Sequence, residues 1–331
     1  MLKQAATLWW LGVLESLNLQ RCVVFLVLDS SKALGRAVVH CFVLNGCVLG
    51  GSTLLWECAL LPAVQWLLRF LFAPVAGPLA ARCAALLLQL CYHGLWLLPV
   101  YLVTMLVSCG IYNDVAKTAF LIKQKQRQQQ DAHASTGQRP AGQAGAAGAG
   151  GGGGGGGLED VAQEVYRVVL FCMFLGEVSL VGRLPYAGPA LNVLFLSWLY
   201  AYYCFDYKWG LQGVRLAERL AYFERRWAFF AGFGLPMALS TALLPFYQGA
   251  AVLAVLFPVY ILVACDSDVN AVHDRVMGKS GSGRLRHLPI FALAMWPTQR
   301  IVNSVAGGGE AGGGGAAVAL GSGGGSGGMG T

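Results

Sequence analysis

The chain has 331 residues and a mass of 35.1 kDa, with 56% hydrophobic residues, 12% charged residues and a mean hydropathy of +0.58. A soluble domain carries roughly 25% charged residues, so this balance excludes an ordinary soluble enzyme and points to a chain whose solvent is largely lipid. The net charge of +7 comes with no recognisable nucleic-acid module, so a nucleic-acid partner is not expected.

Residues 1–36 read as an N-terminal cytoplasmic or interfacial segment. Its apolar run Ala5–Leu14 has no small-residue cleavage site and is followed by Glu15, which argues against a signal peptide. A bilayer core needs about 20 apolar helical residues, and six stretches qualify: Ala37–Leu61, Cys83–Tyr112, Val165–Val181, Tyr186–Phe205, Phe229–Phe246 and Gln248–Cys265. The predicted class is all-α: a polytopic helical membrane protein of about six transmembrane or partly re-entrant helices, with interfacial amphipathic helices. In the first stretch Gly46, Gly50, Gly51 and Ser52 give a small-residue face on which another helix can approach closely, within the chain or between chains.

Residues 37–125 form the first helical membrane region, ending near the polar run Lys123–Asp131. Residues 126–157 read as a Gly/Ala-rich disordered linker, since Gly137–Gly157 holds 12 of the 45 glycines. Such a segment buries too little apolar surface to offset its ordering entropy. Residues 158–303 form the second helical membrane region. There Glu177 lies inside a span, with Arg167 near its start and Arg183 just past its end. A charge at mid-bilayer costs several kcal/mol and is usually retained for a reason, so Glu177 is expected to pair with one arginine, either lining a polar pathway or fixing helix packing.

In Asp206–Trp227 the residues Trp209, Gly213, Leu216, Leu220, Phe223 and Trp227 recur at helical spacing, opposite a stripe that includes Lys208, Arg215, Arg219 and Arg226. Residues 206–227 therefore read as an interfacial helix, on the membrane or on the protein's own cytoplasmic side. The last two stretches are short and interrupted by Pro236, Pro245 and Pro258, so they form either a spanning hairpin joined near Tyr247 or a re-entrant pair. Residues 304–331 read as a disordered Gly/Ser-rich tail.

Alternating the loops across the membrane places 20 Lys and Arg on the side of the N-terminus and only Arg69, Arg82 and Arg183 on the other. Basic short loops stay cytoplasmic, so both termini are expected in the cytoplasm. Basic residues gathered on that face favour anionic lipid headgroups by about 1 kcal/mol each.

No catalytic motif survives inspection. The ten cysteines include no C-x-x-C and no histidine at ligand spacing, so no metal site or cofactor is expected. Asp266, Asp268 and Asn270 begin like a calcium loop, but Ala271 and Met277 stand where the loop needs Gly and Glu. Gly278-Lys279-Ser280 lacks the upstream glycine of a phosphate loop.

Several stretches resemble the etoposide-induced ER membrane protein family, in its plant and algal form. They are Phe42–Gly46, Leu95–Pro99, Tyr112–Phe120, Tyr202–Trp209, Arg219-Leu220, Phe223–Trp227 and Gly232–Pro236, with order and spacing kept from about Thr7 to Arg300. That family is distantly similar to bacterial CysZ-type sulfate permeases. The resemblance implies a multi-pass endoplasmic reticulum protein with a role in macroautophagy, acting through lipid or protein partners and not as an enzyme. It brings no catalytic or substrate-binding residue. Gly232 and Gly234 are expected to allow close backbone approach or a helix break before Pro236, while Asp206, Glu224, Lys208, Arg225 and Arg226 are expected to hold the cytoplasmic helix to the membrane face. A small-anion permease is the alternative.

Overall fold

The computed structural model describes residues 2–29, 32–135, 157–278 and 285–308, and these are helical with short connections. Most of the predicted linker and tail, 136–156 and 309–331, lies outside the described residues. At their borders helical backbone runs on to Ser135 and Gly308, inside the ranges that composition assigns to linker and tail. The described residues fall into two compact units, one within 1–154 and 175–290, the other within 155–174 and 291–331.

The first unit begins with α1 (Leu2–Ser16) and α2 (Gln20–Leu28), bent by 44° at the break between them. Then come α3 (Ala33–Phe70) and α4 (Arg82–Gln130). These two contain π-helical stretches at Phe42–Gly50, Trp56–Leu60 and Tyr92–Leu97. Asn45 Nδ2 donates to Ser108 Oγ at 2.8 Å, Tyr92 OH donates to the Ser52 carbonyl at 3.2 Å, and the Trp56 and Tyr92 rings stack 3.9 Å apart. Pairs that close inward in this way make α3 and α4 an antiparallel couple. The unit continues through the end of α5 (Gly157–Val181), α6 (Gly188–Leu211), α7 (Leu216–Arg225), α8 (Trp227–Ala242), α9 (Phe246–Asp266) and α10 (Val269–Met277).

Three helices, α3, α4 and α9, are long and apolar enough to cross a membrane, and α1 with α2 makes a fourth if the bent pair is one span. Helices α5, α6 and α8 cover the other predicted stretches without meeting that standard by length and composition. Only 22% and 17% of the most apolar windows of α3 and α4 are buried, against 56% for α9. Trp66, Phe70, Leu90, Leu95 and Leu106 therefore project outward, as side chains solvated by lipid do. On α9, Gln248 and Asp266 are 18 residues and about 27 Å apart, close to the hydrocarbon thickness of a bilayer.

The N-terminal helix is not peripheral. Leu8 is fully buried, and α1 runs antiparallel along α8. A Cβ built on Gly232 would overlap the carbonyl oxygen of Trp9, and one on Gly12 would overlap that of Phe229. On another face of α8, a Cβ on Gly234 would overlap the carbonyl of Ser197 in α6. Glycine costs about 1 kcal/mol in a helix interior, and close backbone approach with its dispersion and Cα–H···O contacts offsets this. The helix runs unbroken through Pro236, which removes the N–H that would bond the Gly232 carbonyl. The Gly46/Gly50 face packs within the chain, against Val255 and Ala251 of α9.

Two sequence boundaries are corrected. Residues 206–227 are not one helix: α6 ends at Leu211, Gly213 takes φ +70°, and the Gly213 and Val214 amides bond back to Gly210 and Trp209. That is a Schellman ending, which favours glycine at the left-handed position. The last hairpin turns at Leu243–Pro245 and not at Tyr247, because Pro245 suits a helix start.

The second unit holds the start of α5 and α11 (Ala292–Gly308). Phe174 and Phe291 are fully buried there, with ring centroids 5.0 Å apart.

Gly232→Val is expected to destabilise the protein by about 3 kcal/mol, read as a lowered thermal transition in detergent. Gly110→Ala, where a Cβ meets nothing within 4 Å, is expected to be neutral or to gain up to about 1 kcal/mol.

Candidate functional site at the polar end of the bundle

The last carbonyls of a helix have no intrahelical partner, and at the C-terminus of α9 two lysines from distant segments supply one. Lys123 Nζ of α4 donates to the Asp266 carbonyl at 2.6 Å and the Cys265 carbonyl at 3.4 Å. Lys208 Nζ at the end of α6 donates to the Ser267 carbonyl at 2.6 Å and the Ala264 carbonyl at 3.2 Å. Positive charge is favoured at this negative end of the helix dipole.

An ion-pair chain closes around them. The Asp266 carboxylate pairs with Lys123 at 2.9 Å and with Arg21 at 3.3 Å. Arg21 reaches Glu15 through both terminal nitrogens, at 2.6 and 3.1 Å, and Glu15 accepts from Ser267 Oγ at 2.9 Å. Five elements, α1, α2, α4, α6 and α9, are tied at this one end. Burial, and next the charge of Lys123, push the Lys208 ammonium down to about 8.

Nearby, Asp206 accepts from Arg219 at 2.7 Å, both nearly buried, and Arg219 Nε also donates to the Val214 carbonyl at 2.7 Å. This pair clamps α7 against the Schellman turn. Trp209, Tyr202, Phe205, Phe223, Phe230 and Phe233 form an aromatic block beneath it, with Phe223 and Phe230 stacked at 4.2 Å. Glu224, 6% exposed, pairs with His287 at 2.9 Å. Trp227 Nε1 donates to the Arg286 carbonyl at 3.3 Å, and Trp198 Nε1 donates to the Trp227 carbonyl at 3.0 Å. Arg226 stacks over Tyr222 at 3.9 Å, and both side chains donate to Asn270 Oδ1.

Of the residues singled out in the sequence, Asp206, Lys208, Trp209, Glu224 and Trp227 thus join the protein's own segments, while Arg225 is exposed. Gly232, Gly234 and Pro236 lie in the α8 contact. The expected buried pair of Glu177 with Arg183 is not formed: Glu177 Oε2 is buried with no hydrogen-bond partner among the described residues. Six positions on, Arg183 sits in the turn beyond the helix end, where it does not face back along the helix. Arg167 lies ten residues before Glu177 in sequence and belongs to the other unit.

Sequence reasoning missed Glu15, Arg21, Lys123 and Ser267 as members of one cluster. Their one common signal is position, each polar and just outside an apolar run. The broken calcium pattern also resolves into separate tasks. Asp266 holds two cations, Asp268 caps α10 by accepting from the Asn270 and Ala271 amides at 3.1 Å, and Asn270 serves Tyr222 and Arg226. Among the described residues no group of three His, Cys, Asp or Glu is placed to hold a metal ion.

The family model described as sulfate transporter CysZ/etoposide-induced protein 2.4 matches residues 22–264, nearly three quarters of the chain. The chain belongs to this family. The Arabidopsis thaliana protein EI24 homolog is 36% identical over 310 residues, covering 88% of this chain and 92% of the relative. The Dictyostelium discoideum EI24 homolog is 26% identical over 290 residues, covering 87% and 81%. The Caenorhabditis elegans ectopic P granules protein 4 is 26% identical over 120 residues, covering 36% and 38%. No solved structure matches. The matched span takes in Gly232 and Gly234 of α8 and the two capping lysines, but it begins after Trp9 and Gly12 and ends two residues before Asp266.

Two outcomes follow. Asp266→Asn leaves Arg21 and Lys123 without their shared counter-ion and is expected to cost about 1–3 kcal/mol of stability, measured by thermal unfolding in detergent. Lys208 has a folded value below its unfolded one, so the unfolded state binds more protons between them. Stability should therefore rise from about pH 8 toward about pH 10.4, and Lys208→Met should remove that rise.

Proposed function

We propose that the protein is a multi-pass endoplasmic reticulum membrane protein that supports macroautophagy through its cytoplasmic face, binding lipids or protein partners without a catalytic step. Membership of the family supports the setting. The single structural observation behind the scaffold role is the polar end of the bundle. There Arg21, Lys123 and Lys208 are spent on holding α1, α2, α4, α6 and α9 together, which fits a rigid platform more than a conduit.

The orientation, with both termini cytoplasmic, rests on the 20-to-3 distribution of Lys and Arg. Arg21, Lys123, Lys208, Arg219 and Arg226 all belong to the larger group, and they gather at the Asp266 end of the bundle.

A small-anion permease is the second reading, favoured by the words sulfate transporter in the description of the matching family model. A pathway for an anion needs cationic groups or helix N-termini turned toward it, whereas the three central cations are engaged by carboxylates and carbonyls.

Cells lacking the protein are expected to accumulate undegraded autophagic cargo on starvation, and re-expression of the full chain should clear it; unchanged cargo turnover in the null would overturn the reading. Sealed liposomes holding the folded protein are expected to take up labelled sulfate no faster than empty ones. Saturable uptake abolished by Glu177→Gln or Arg183→Ala would instead establish the permease.

A further inference from the structure

Helices α2 and α3 leave between them an open groove of about 750 Å³ whose two halves differ in chemistry. One half is basic. Arg36 and His40, four residues apart on α3, stand in one row with Cβ atoms about 6 Å apart, and Lys32, the residue just before the helix with φ +53°, lines the same groove. All three are exposed, and among the described residues none forms an ion pair. The nearby Asp29 carboxylate is occupied with the Leu34 amide at 2.7 Å. The other half is apolar: Leu26, Val39 and Val43 are 38%, 61% and 50% exposed. Gly35 forms the floor, where a Cβ would sit 3.8 Å from Leu26.

Helix register fixes the depth of this groove. Gly46 packs on Val255 and Gly50 on Ala251, an antiparallel register that, continued, brings Arg36 level with Cys265. The basic row therefore begins at the level of the Asp266 cluster, and the apolar half runs from there toward the middle of α3. A row of basic side chains at the membrane surface beside an apolar half that opens sideways matches a molecule with an anionic head and a hydrocarbon tail.

We propose that this groove binds one anionic glycerophospholipid, its phosphate-bearing headgroup on Lys32, Arg36 and His40 and an acyl chain along Leu26, Val39 and Val43. A free anion would use the row and leave the apolar half empty, so the continuity of the two halves selects the lipid. The site rests on the membrane placement given under the proposed function and not on the role in autophagy. A binding measurement on purified protein can therefore fail while cargo turnover in cells still depends on the chain.

The test uses the full chain purified in detergent, with phosphatidylserine and phosphatidylcholine titrated and the retained lipid counted by native mass spectrometry. The parent is expected to retain phosphatidylserine in preference to phosphatidylcholine. The combined Lys32→Gln, Arg36→Gln and His40→Gln variant should bind it at least about tenfold more weakly. Lys125→Gln with Arg127→Gln, an equal removal of Lys and Arg charge from exposed positions on α4, should leave retention unchanged. Gly35→Leu, which fills the floor and keeps every charge, should also lose the lipid, and millimolar inorganic phosphate should not displace it. Equal losses in the α4 variant would reduce the effect to diffuse surface charge. Displacement by phosphate would make the site one for free anions, and full retention by Gly35→Leu would remove the groove. Each of these results overturns the proposal. If the triple variant does not fold, Arg36→Gln alone and Gly35→Leu carry the same comparison.

Discussion

The structure depends on backbone meeting backbone along α8. Inside a bilayer, two apolar helices gain little hydrophobic free energy from each other, because lipid tails solvate leucine as well as another leucine does. What remains is dispersion and weak polar contact, both of which need short distances. Gly12, Gly232 and Gly234 provide them: α8 is held on one side by the carbonyl of Trp9 and on another by that of Ser197. With α8 fixed between α1 and α6, the aromatic side chains of Phe205, Phe229, Phe230 and Phe233 have a unique way to interlock. The ends of these helices are then brought close enough for their charges to pair.

The polar end follows from that packing. Parallel helices α4 and α9 put Lys123 beside the last carbonyls of α9, and the reach of Lys208 completes the cap. A cation that neutralises helix-end carbonyls has lost much of its freedom to bind anything else. This distinguishes Lys123 and Lys208 from Lys32 and Arg36, which have the same formal charge in a different situation. Basic residues counted together by composition thus divide into those that hold the bundle and those that face outward.

Much of the architecture was legible in one dimension. The apolar stretches, the helical class and the small-residue face at Gly46 and Gly50 are properties of neighbours in sequence, and hydropathy and spacing report neighbours well. The family resemblance was carried by short motifs such as Tyr202–Trp209 and Gly232–Pro236, and comparison with relatives bears it out. The polar cluster was not legible, because its partners lie far apart in sequence: 252 positions separate Ser267 from Glu15 and 143 separate Lys123 from Asp266. The interruption of 206–227 was missed for another reason. The amphipathic period continues across the turn, since Gly213 fits the repeat while its left-handed backbone ends the helix. Glu177 and Arg183 show the converse error, a pair suggested by proximity in sequence that helical geometry does not bring together.

The contact between Trp9 and Gly232 bears on how the chain is made. The ribosome adds about 5–20 residues per second, so α1 emerges roughly 10–40 seconds before its partner helix exists. Throughout that interval the face around Gly12 has no backbone to meet, and the first helix must wait without its partner. Assembly of the bundle is therefore a late event in biogenesis, completed when α8 arrives and sealed when the end of α9 reaches the two lysines already in place.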